Sequence, residues 1–197
     1  MKRVLPAGAT TIPAEAECVF SGIMFDVYHW PQKLFDGSTA TFEMLKRPDT
    51  VQLIIIHEGK VVCQNEEQPN RPMQFRLPGG RVDPGEDWLT AAKRECLEET
   101  GLQCKNWKLI AARQPISKIE WFVATFVATE VESKTAPHLD PGEKIEPLLL
   151  TWEELQAQLG SPDNQKNPLL EYTRQTLSSF HSLADLESAA EFVGHEA

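Results

Sequence analysis

The segment that most constrains the fold is Gly80–Leu102, reading GRVDPGEDWLTAAKRECLEETGL. Pro78-Gly79-Gly80 opens a long turn ahead of it. The run Trp88 to Thr100 then reads as a helix, with Gly101 well placed as its C′ residue. At 100° per residue, Glu95, Glu98 and Glu99 stand at i, i+3 and i+4 and share one face. Leu89, Ala92 and Cys96 form the adjoining apolar stripe, suited to docking on a sheet. Three neighbouring carboxylates repel one another, and they lie in the half of the helix where the dipole disfavours negative charge. They oppose the helix unless a cation sits among them. Carboxylate oxygens suit hard cations such as Mg2+ or Mn2+. An acid-rich helix alone is usually a solvated face. The flanking glycines, Glu86 and Arg94 argue here for a site instead. Arg94 lies four residues before Glu98 and can orient it, and a glycine turn lets backbone approach a metal or phosphate closely.

The rest of the chain alternates short strands with turns. Residues 17 to 33, with Val19, Phe20, Ile23, Phe25, Val27 and Tyr28, suit strands. Asp36-Gly37 is a turn signal, and Thr39 to Leu45 returns as a second strand. Val51 to Ile56 reads as a buried strand that turns at Glu58-Gly59 into Lys60 to Cys63. Gln64 to Met73, polar and carrying Pro69 and Pro72, reads as a loop before a short strand at Phe75-Arg76-Leu77. Trp107 to Ala112, Trp121 to Val131 and Ile145 to Leu150 are further strands, with a polar loop at Ser133 to Glu143. Thr151 with Glu154 makes a capping box for a helix at Trp152 to Leu159. Asn167 caps another helix with Pro168 at N1 and an inner stripe of Leu169, Thr173, Leu177 and Phe180. The pattern is mixed α+β, with helices on a sheet.

Composition narrows the partners. The chain has 197 residues and a formal net charge of −10, from 29 acidic and 19 basic side chains. That balance argues against holding nucleic acid through phosphates and against a polybasic membrane-surface role. No run approaches the roughly 18 apolar residues of a membrane span. The start of the chain is broken by Pro6, Gly8 and Pro13, too weak for a signal peptide, and reads as a flexible cytoplasmic N-terminus. Cys18, Cys63, Cys96 and Cys104 form no C-x-x-C pair, so reduced thiols are expected, with Cys96 a small core residue. The five histidines are scattered and read as structural or surface residues.

Gly80, Glu86, Arg94-Glu95, Glu98-Glu99, Gly101 and Leu102 fit the spacing G-x5-E-x7-R-E-U-x-E-E-x-G-U, where U is apolar. The chain is similar to Nudix hydrolases through this box, with Cys96 in a slot where Leu, Ile or Val is usual. The resemblance implies an α/β/α sandwich with a mixed sheet and hydrolysis of a nucleoside diphosphate linked to another moiety. It implies metal ligands at Glu95, Glu98, Glu99 and the Gly79 carbonyl, and on the order of two or three Mg2+ ions per site, with Mn2+ an alternative. Glu98 would bind metal or orient the attacking water, and Glu86 and Arg94 would hold the loop–helix–loop together. The flanks, Phe20 to Leu45, Arg47-Pro48-Asp49-Thr50-Val51 and Glu67-Gln68 to Arg71, resemble the ADP-ribose and nucleoside-diphosphate-sugar pyrophosphatases. That branch implies an N-terminal antiparallel strand extension exchanged across a homodimer. Pro115 and Glu120 resemble its proline-containing segment, though Pro115 follows Leu102 by 13 residues, a shorter spacing than usual there.

The expected organisation is a flexible tail at 1–16, a dimerising strand extension at 17–47, the hydrolase domain at 48–181 and a helix or tail at 182–197. The expected reaction is cleavage of ADP-ribose or a related nucleotide sugar to a nucleoside monophosphate and a sugar phosphate. The alternatives are a nucleoside-triphosphate or dinucleoside-polyphosphate hydrolase, and a non-catalytic nucleotide-binding sensor. Glu143 is the first candidate for a base from the loop before the last strand, and Asp140 the second. Arg71 can pair with a substrate phosphate, and Phe25, Tyr28 and Trp30 can stack on a base or serve as core or dimer contacts. Glu120 joins them as a candidate substrate contact.

Overall fold

Thr50–His57 is the spine of the molecule: every residue from Val51 to Ile56 is buried. The computed structural model describes residues 3–69, 71–165 and 167–196. The expectations for Met1, Lys2, Ala197 and the His195 side chain lie outside the described residues. In chain order the elements are β1 (Val4–Leu5), β2 (Glu17–Ser21), β3 (Asp26–Lys33), β4 (Thr39–Lys46), β5 (Thr50–His57), β6 (Lys60–Gln68) and β7 (Arg71–Arg76). Helix α1 (Trp88–Glu95) runs straight into a π turn at Cys96–Thr100. There follow β8 (Leu102–Arg113), β9 (Ile119–Glu120), β10 (Val123–Lys134), β11 (Lys144–Leu150), α2 (Trp152–Gly160), α3 (Pro168–Leu177), α4 (Leu183–Glu187) and β12 (His195–Glu196).

The main sheet has the order β11-β6-β5-β10-β8, with β7 also on β6. Only the β5–β10 pairing in it is parallel. Alternation along β5 sends Val51, Leu53 and Ile55 to one face, against Trp88, Ala91, Ala92 and Cys96 of the α1 segment. Ile54 and Ile56 go to the other face, against Leu155, Leu170, Leu177 and Leu186 of α2, α3 and α4. Each such side chain contributes about 1.5–3 kcal/mol on burial. Helices on both faces of a mixed sheet make the expected α/β/α sandwich. The caps of α2 and α3 are as expected: Thr151 and Glu154 form a reciprocal box, and Asn167 accepts from Leu169 N–H ahead of Pro168.

Four local expectations need correction. Gln64 to Met73 is not a loop: β6 runs to Gln68 and pairs with β7. Its polar residues misled because Gln64 and Glu66 continue the buried face begun by Val62, while Pro72 sits on a strand paired on one side only. The helix at 88–100 is α only to Glu95. Helix α3 buries Leu170 rather than Leu169. The N-terminal segment is held in place from Arg3 onward: β1 pairs with β12, Leu5 enters the core, and Gln114 brackets Thr10 through N–H and C=O. The strand extension is there as a four-stranded sheet, β2-β3-β4-β9, beside the sandwich.

Candidate active site

The carboxylate site is assembled around the turn that delivers the chain from β7 to α1. Val51 N–H and Leu53 N–H donate to the carbonyls of Gly80 and Pro78, so the turn lies along β5. Gly79 takes φ of +135°, and a Cβ there would run into the Val51 carbonyl oxygen. A Cβ on Gly80 would stand 2.5 Å from Glu95 Oε1. These two glycines therefore let the turn press against β5 on one side and a carboxylate on the other.

Three glutamates reach this turn from the helix. Glu99 is nearly fully buried; its Oε2 accepts from Gly79 N–H at 2.6 Å and its Oε1 from Gln64 Nε2 at 3.1 Å. Burial first, then the charges of Glu95 and Glu66, push its pKa up to about 8 against the pull of those hydrogen bonds. Burial likewise pushes Glu95 up to about 7, opposed by Arg94 and reinforced by Glu98 and Glu143. Glu98 is more open and bonds Arg94 Nη1 at 2.9 Å. The π turn starts immediately after Glu95, widening the helix where Glu98 and Glu99 project.

Arg94 organises the surroundings. It bonds Glu86 through Nε and Nη2 at 3.0 Å each, Glu95 through Nη1 at 2.8 Å, and the Arg81 carbonyl through Nη2 at 2.8 Å. Those contacts, Glu86 foremost, push its own pKa further up and hold Glu86 low. One guanidinium thus ties Glu86 to Glu95 and Glu98.

Two acids, one on β6 and one just before β11, complete the cluster. Glu66 is buried beside Arg76 and Gln68. Glu143 sits just before β11 and is raised by burial, then by Glu66, Asp140 and Glu98. The chain thus gathers oxygen donors from Glu66, Glu95, Glu98, Glu99 and Glu143, with no nitrogen or sulfur donor among them. That chemistry fits a hard divalent cation, and the raised pKa values show carboxylates lacking compensating charge. Among the described residues no three of them are already drawn into a coordinating group. Arg94, Gln64 and Gly79 N–H hold oxygens that an ion would take.

A cationic patch borders the other side of the turn. Arg47 lies over the Trp121 ring at 4.4 Å and near the Phe25 ring at 5.9 Å. Burial, then the nearby charges of Arg81 and Arg71, pull its pKa down. Arg71 and Phe25 are thereby brought to one place, although Phe25 lies in the bend before β3 rather than in a strand. Tyr28 is on β3, under Lys46 Nζ at 5.9 Å. Trp30 is packed away against Phe42. Glu120 is not aimed at this patch. Its buried carboxylate is bound by Arg3 at 3.1 Å, Ile12 N–H at 2.7 Å and Lys46 at 3.4 Å, which hold its pKa low against burial. The reading of Glu120 as a substrate contact gives way to a structural one.

The NUDIX domain family matches residues 46–171. The chain belongs to the Nudix family. This Nudix hydrolase is 31% identical over 147 residues to the methanol dehydrogenase activator of Bacillus methanolicus, covering 71% of this chain and 78% of that protein. It is 28% identical over 142 residues to the ADP-ribose pyrophosphatase of Bacillus subtilis strain 168, covering 70% and 77%. A crystal structure described as an ADP compounds hydrolase aligns with a TM-score of 0.63 over 91% of this chain and 98% of that one; at 20% identity it speaks for the fold. The protein is a Nudix pyrophosphatase of a family that generally uses divalent metal ions.

Gln64, Glu66, Arg47, Arg81 and Trp121 were not singled out from the sequence as site residues. The alternation Val62-x-Gln64-x-Glu66 was the available signal for two of them. Arg81 directly follows the glycine pair, Arg47 opens the Arg47–Val51 flank, and nothing local marks Trp121.

Proposed function

We propose that this enzyme hydrolyses the pyrophosphate of ADP-ribose or a related nucleoside-diphosphate sugar, with Mg2+ or Mn2+ held by Glu95, Glu98, Glu99 and the Gly79 carbonyl. The observation that supports it most is the division of charge around one turn. Glu95 and Glu99 lie against Gly79 and Gly80, and Arg47, Arg71 and Arg81 cluster beside the next residue. A chain of net charge −10 concentrates three guanidiniums there, the pattern that receives a diphosphate.

What a bound divalent ion supplies is charge neutralisation on the diphosphate oxygens and a more acidic water. The protein's own part is positioning. Arg71 and Arg47 hold non-bridging oxygens, and Phe25, backed by Arg47, offers a stacking face for a base. The water oxygen forms a bond to one phosphorus while the bridging oxygen leaves with the other phosphate. Glu143, held above the ordinary carboxylate range, is our choice for accepting the water's proton. Glu86, through Arg94, keeps Glu95 and Glu98 on the turn.

The strand extension at 17–47 is proposed to pair two copies, since Phe20, Ile23, Met24 and Phe25 are exposed on it. The activity is tested with a panel of ADP-ribose, nucleotide sugars, dinucleoside polyphosphates and nucleoside triphosphates, with and without Mg2+. Metal-dependent release of a nucleoside monophosphate from the sugar nucleotides, lost in Glu99→Gln, is expected. Faster turnover of triphosphates, or tight binding with no product, would overturn the reading.

A further inference from the structure

The far end of β8 borders a second cleft. β8 is an edge strand of the main sheet, and its residues 110–113 line the cleft together with the turn at residues 6–9, Phe192, and the end of α3 with Phe180. Phe192 packs with the core on the α1 face and Phe180 with the core on the α3 face, so the cleft wraps the edge of the sheet. Its volume is about 600 Å3, within the range of roughly 300–1,000 Å3 usual for small-molecule sites. It shares no lining residue with the carboxylate cluster or the cationic patch.

The charge in this cleft is unmatched. Outside the cationic patch, Arg3, Arg76, Arg94 and Arg174 each hold a carboxylate. Arg113, which lines the cleft, has no acidic partner among the described residues. Its Nε donates to Thr176 Oγ1 at 3.4 Å and its Nη1 to Gln175 Oε1 at 3.3 Å, against 2.8 to 3.0 Å for the bonds of Arg94 to Glu95 and Glu86. Both bonds are longer than a good N–H···O contact and go to neutral oxygens, so the guanidinium is free to turn to a better acceptor. The hydroxyls of Ser117 and Ser179, exposed beside it, have no protein partner among the described residues. In a chain of net charge −10, an unmatched fork of N–H donors over a cleft is a seat for an anion. The C-terminal pole of α3 disfavours an anion there, but with a partial charge against a full one.

We propose that this cleft is a second ligand site, for a nucleoside monophosphate, with the phosphate on Arg113 and the base against the rings that line the cleft. Arg113 takes two phosphate oxygens side by side, and Ser117 and Ser179 donate to the oxygens that remain. Phe180 and Phe192, both half-buried, offer aromatic surface to a base. The two halves of the lining decide the class together. Inorganic phosphate leaves the rings and Ile110 without a partner, and a plain hydrocarbon tail leaves the guanidinium and hydroxyls without one. A phosphate monoester with a flat, largely apolar body satisfies both. The site stands whether or not a nucleotide sugar is the substrate of the carboxylate site.

The test is an NMR titration of the full chain, labelled with nitrogen-15 and freed of metal, with AMP, ribose 5-phosphate, inorganic phosphate and adenosine. AMP is expected to shift the amide signals of residues 111–114, 117 and 175–180 saturably. Ribose 5-phosphate should bind more weakly, inorganic phosphate more weakly still, and adenosine should leave these signals in place. Arg113→Gln should weaken AMP at this cleft about tenfold or more, the loss of charge-assisted bonds, and Arg113→Lys should recover part of that. Ser179→Asp, at an exposed position that puts a carboxylate beside the phosphate, should abolish the cleft shifts with Tm unchanged; it carries the test should Arg113→Gln melt early. AMP shifts confined to the surroundings of Arg47, Arg71 and Arg81 would overturn the proposal. Unchanged affinity in a folded Arg113→Gln or Ser179→Asp protein, or inorganic phosphate binding as tightly as AMP, would overturn it as well.

Discussion

The metal-free enzyme should lose stability as pH rises from about 5 to 8, the reverse of ordinary acid denaturation. Glu99 and Glu95 are pushed up to about 8 and 7 in the fold, chiefly by burial. Their stabilising contribution is complete below the ordinary carboxyl pKa and is lost as pH climbs through the folded values. One carboxyl protonated in the fold but ionised in the unfolded chain costs about 1.4 kcal/mol per pH unit. Over roughly pH 5 to 7, Glu99 alone accounts for about 3 kcal/mol. Glu95 titrates against Glu99, so the pair contributes less than twice that. For a chain of this size the loss corresponds to a Tm drop of about 6–12 °C. Glu86 and Glu120, both held low, act in the opposite sense, but their window lies at more acid pH. Divalent metal binds the ionised carboxylates, so the Tm gained from Mg2+ should grow over the same range. Calorimetry in chelator and in millimolar Mg2+ measures both slopes. Glu99→Gln mimics the protonated acid; the Gln64 amide can turn to accept from it, and the slope should flatten. A chelated protein whose Tm rises from pH 5 to 8, or a pH-independent Mg2+ gain, would refute the reasoning.

Adjacent glycines should fail differently. Gly79→Ala meets backbone at positive φ and should cost about 2–4 kcal/mol in denaturant titration, whereas Gly80→Ala meets the movable end of Glu95 and should keep Tm while losing Mn2+ affinity. Equal destabilisation by both would contradict the placement of Glu95. Asp49→Asn leaves donors facing an amide where Arg3, Trp88 Nε1 and Phe122 N–H now find a carboxylate, so a loss of about 3 kcal/mol is expected in urea. An unchanged urea midpoint would show that the four bonds add nothing. Light scattering at micromolar concentration should find a dimer, and Ile23→Asp should shift it to monomer; a wild-type monomer would refute strand-extension pairing.

Much of the carboxylate site is legible in the sequence because it is local. Glu95, Glu98 and Glu99 need only helical spacing to share a face, and the spacing of Glu86 and Arg94 foretells their pairing. What the sequence hides has two causes. Polar residues used inside a sheet look like loop, and so the sequence pattern ends the strand at Cys63 although Gln64 and Glu66 are buried along β6. The α-to-π change at Cys96 leaves the order of residues untouched and shows only in the backbone. The arginines depend on pairings far apart in the chain: Arg47 directly follows β4, Arg71 begins β7, and Trp121 follows β9.

The N-terminal segment shows why the box cannot make the site alone. Asp49 carries both ends of the loop that leads into α1: its carbonyl accepts from Val82 N–H at 2.9 Å, and its carboxylate accepts from Trp88, the first residue of α1. A buried carboxylate in that position needs a counter-charge. Arg3 supplies it with two bonds, at 2.8 and 2.9 Å, while its third nitrogen reaches Glu120 and its guanidinium covers the Phe122 ring. Glu120 also pairs with Lys46, the neighbour of Arg47. One arginine at the start of the chain therefore neutralises the acid that suspends the carboxylate loop and the acid that braces the cationic patch.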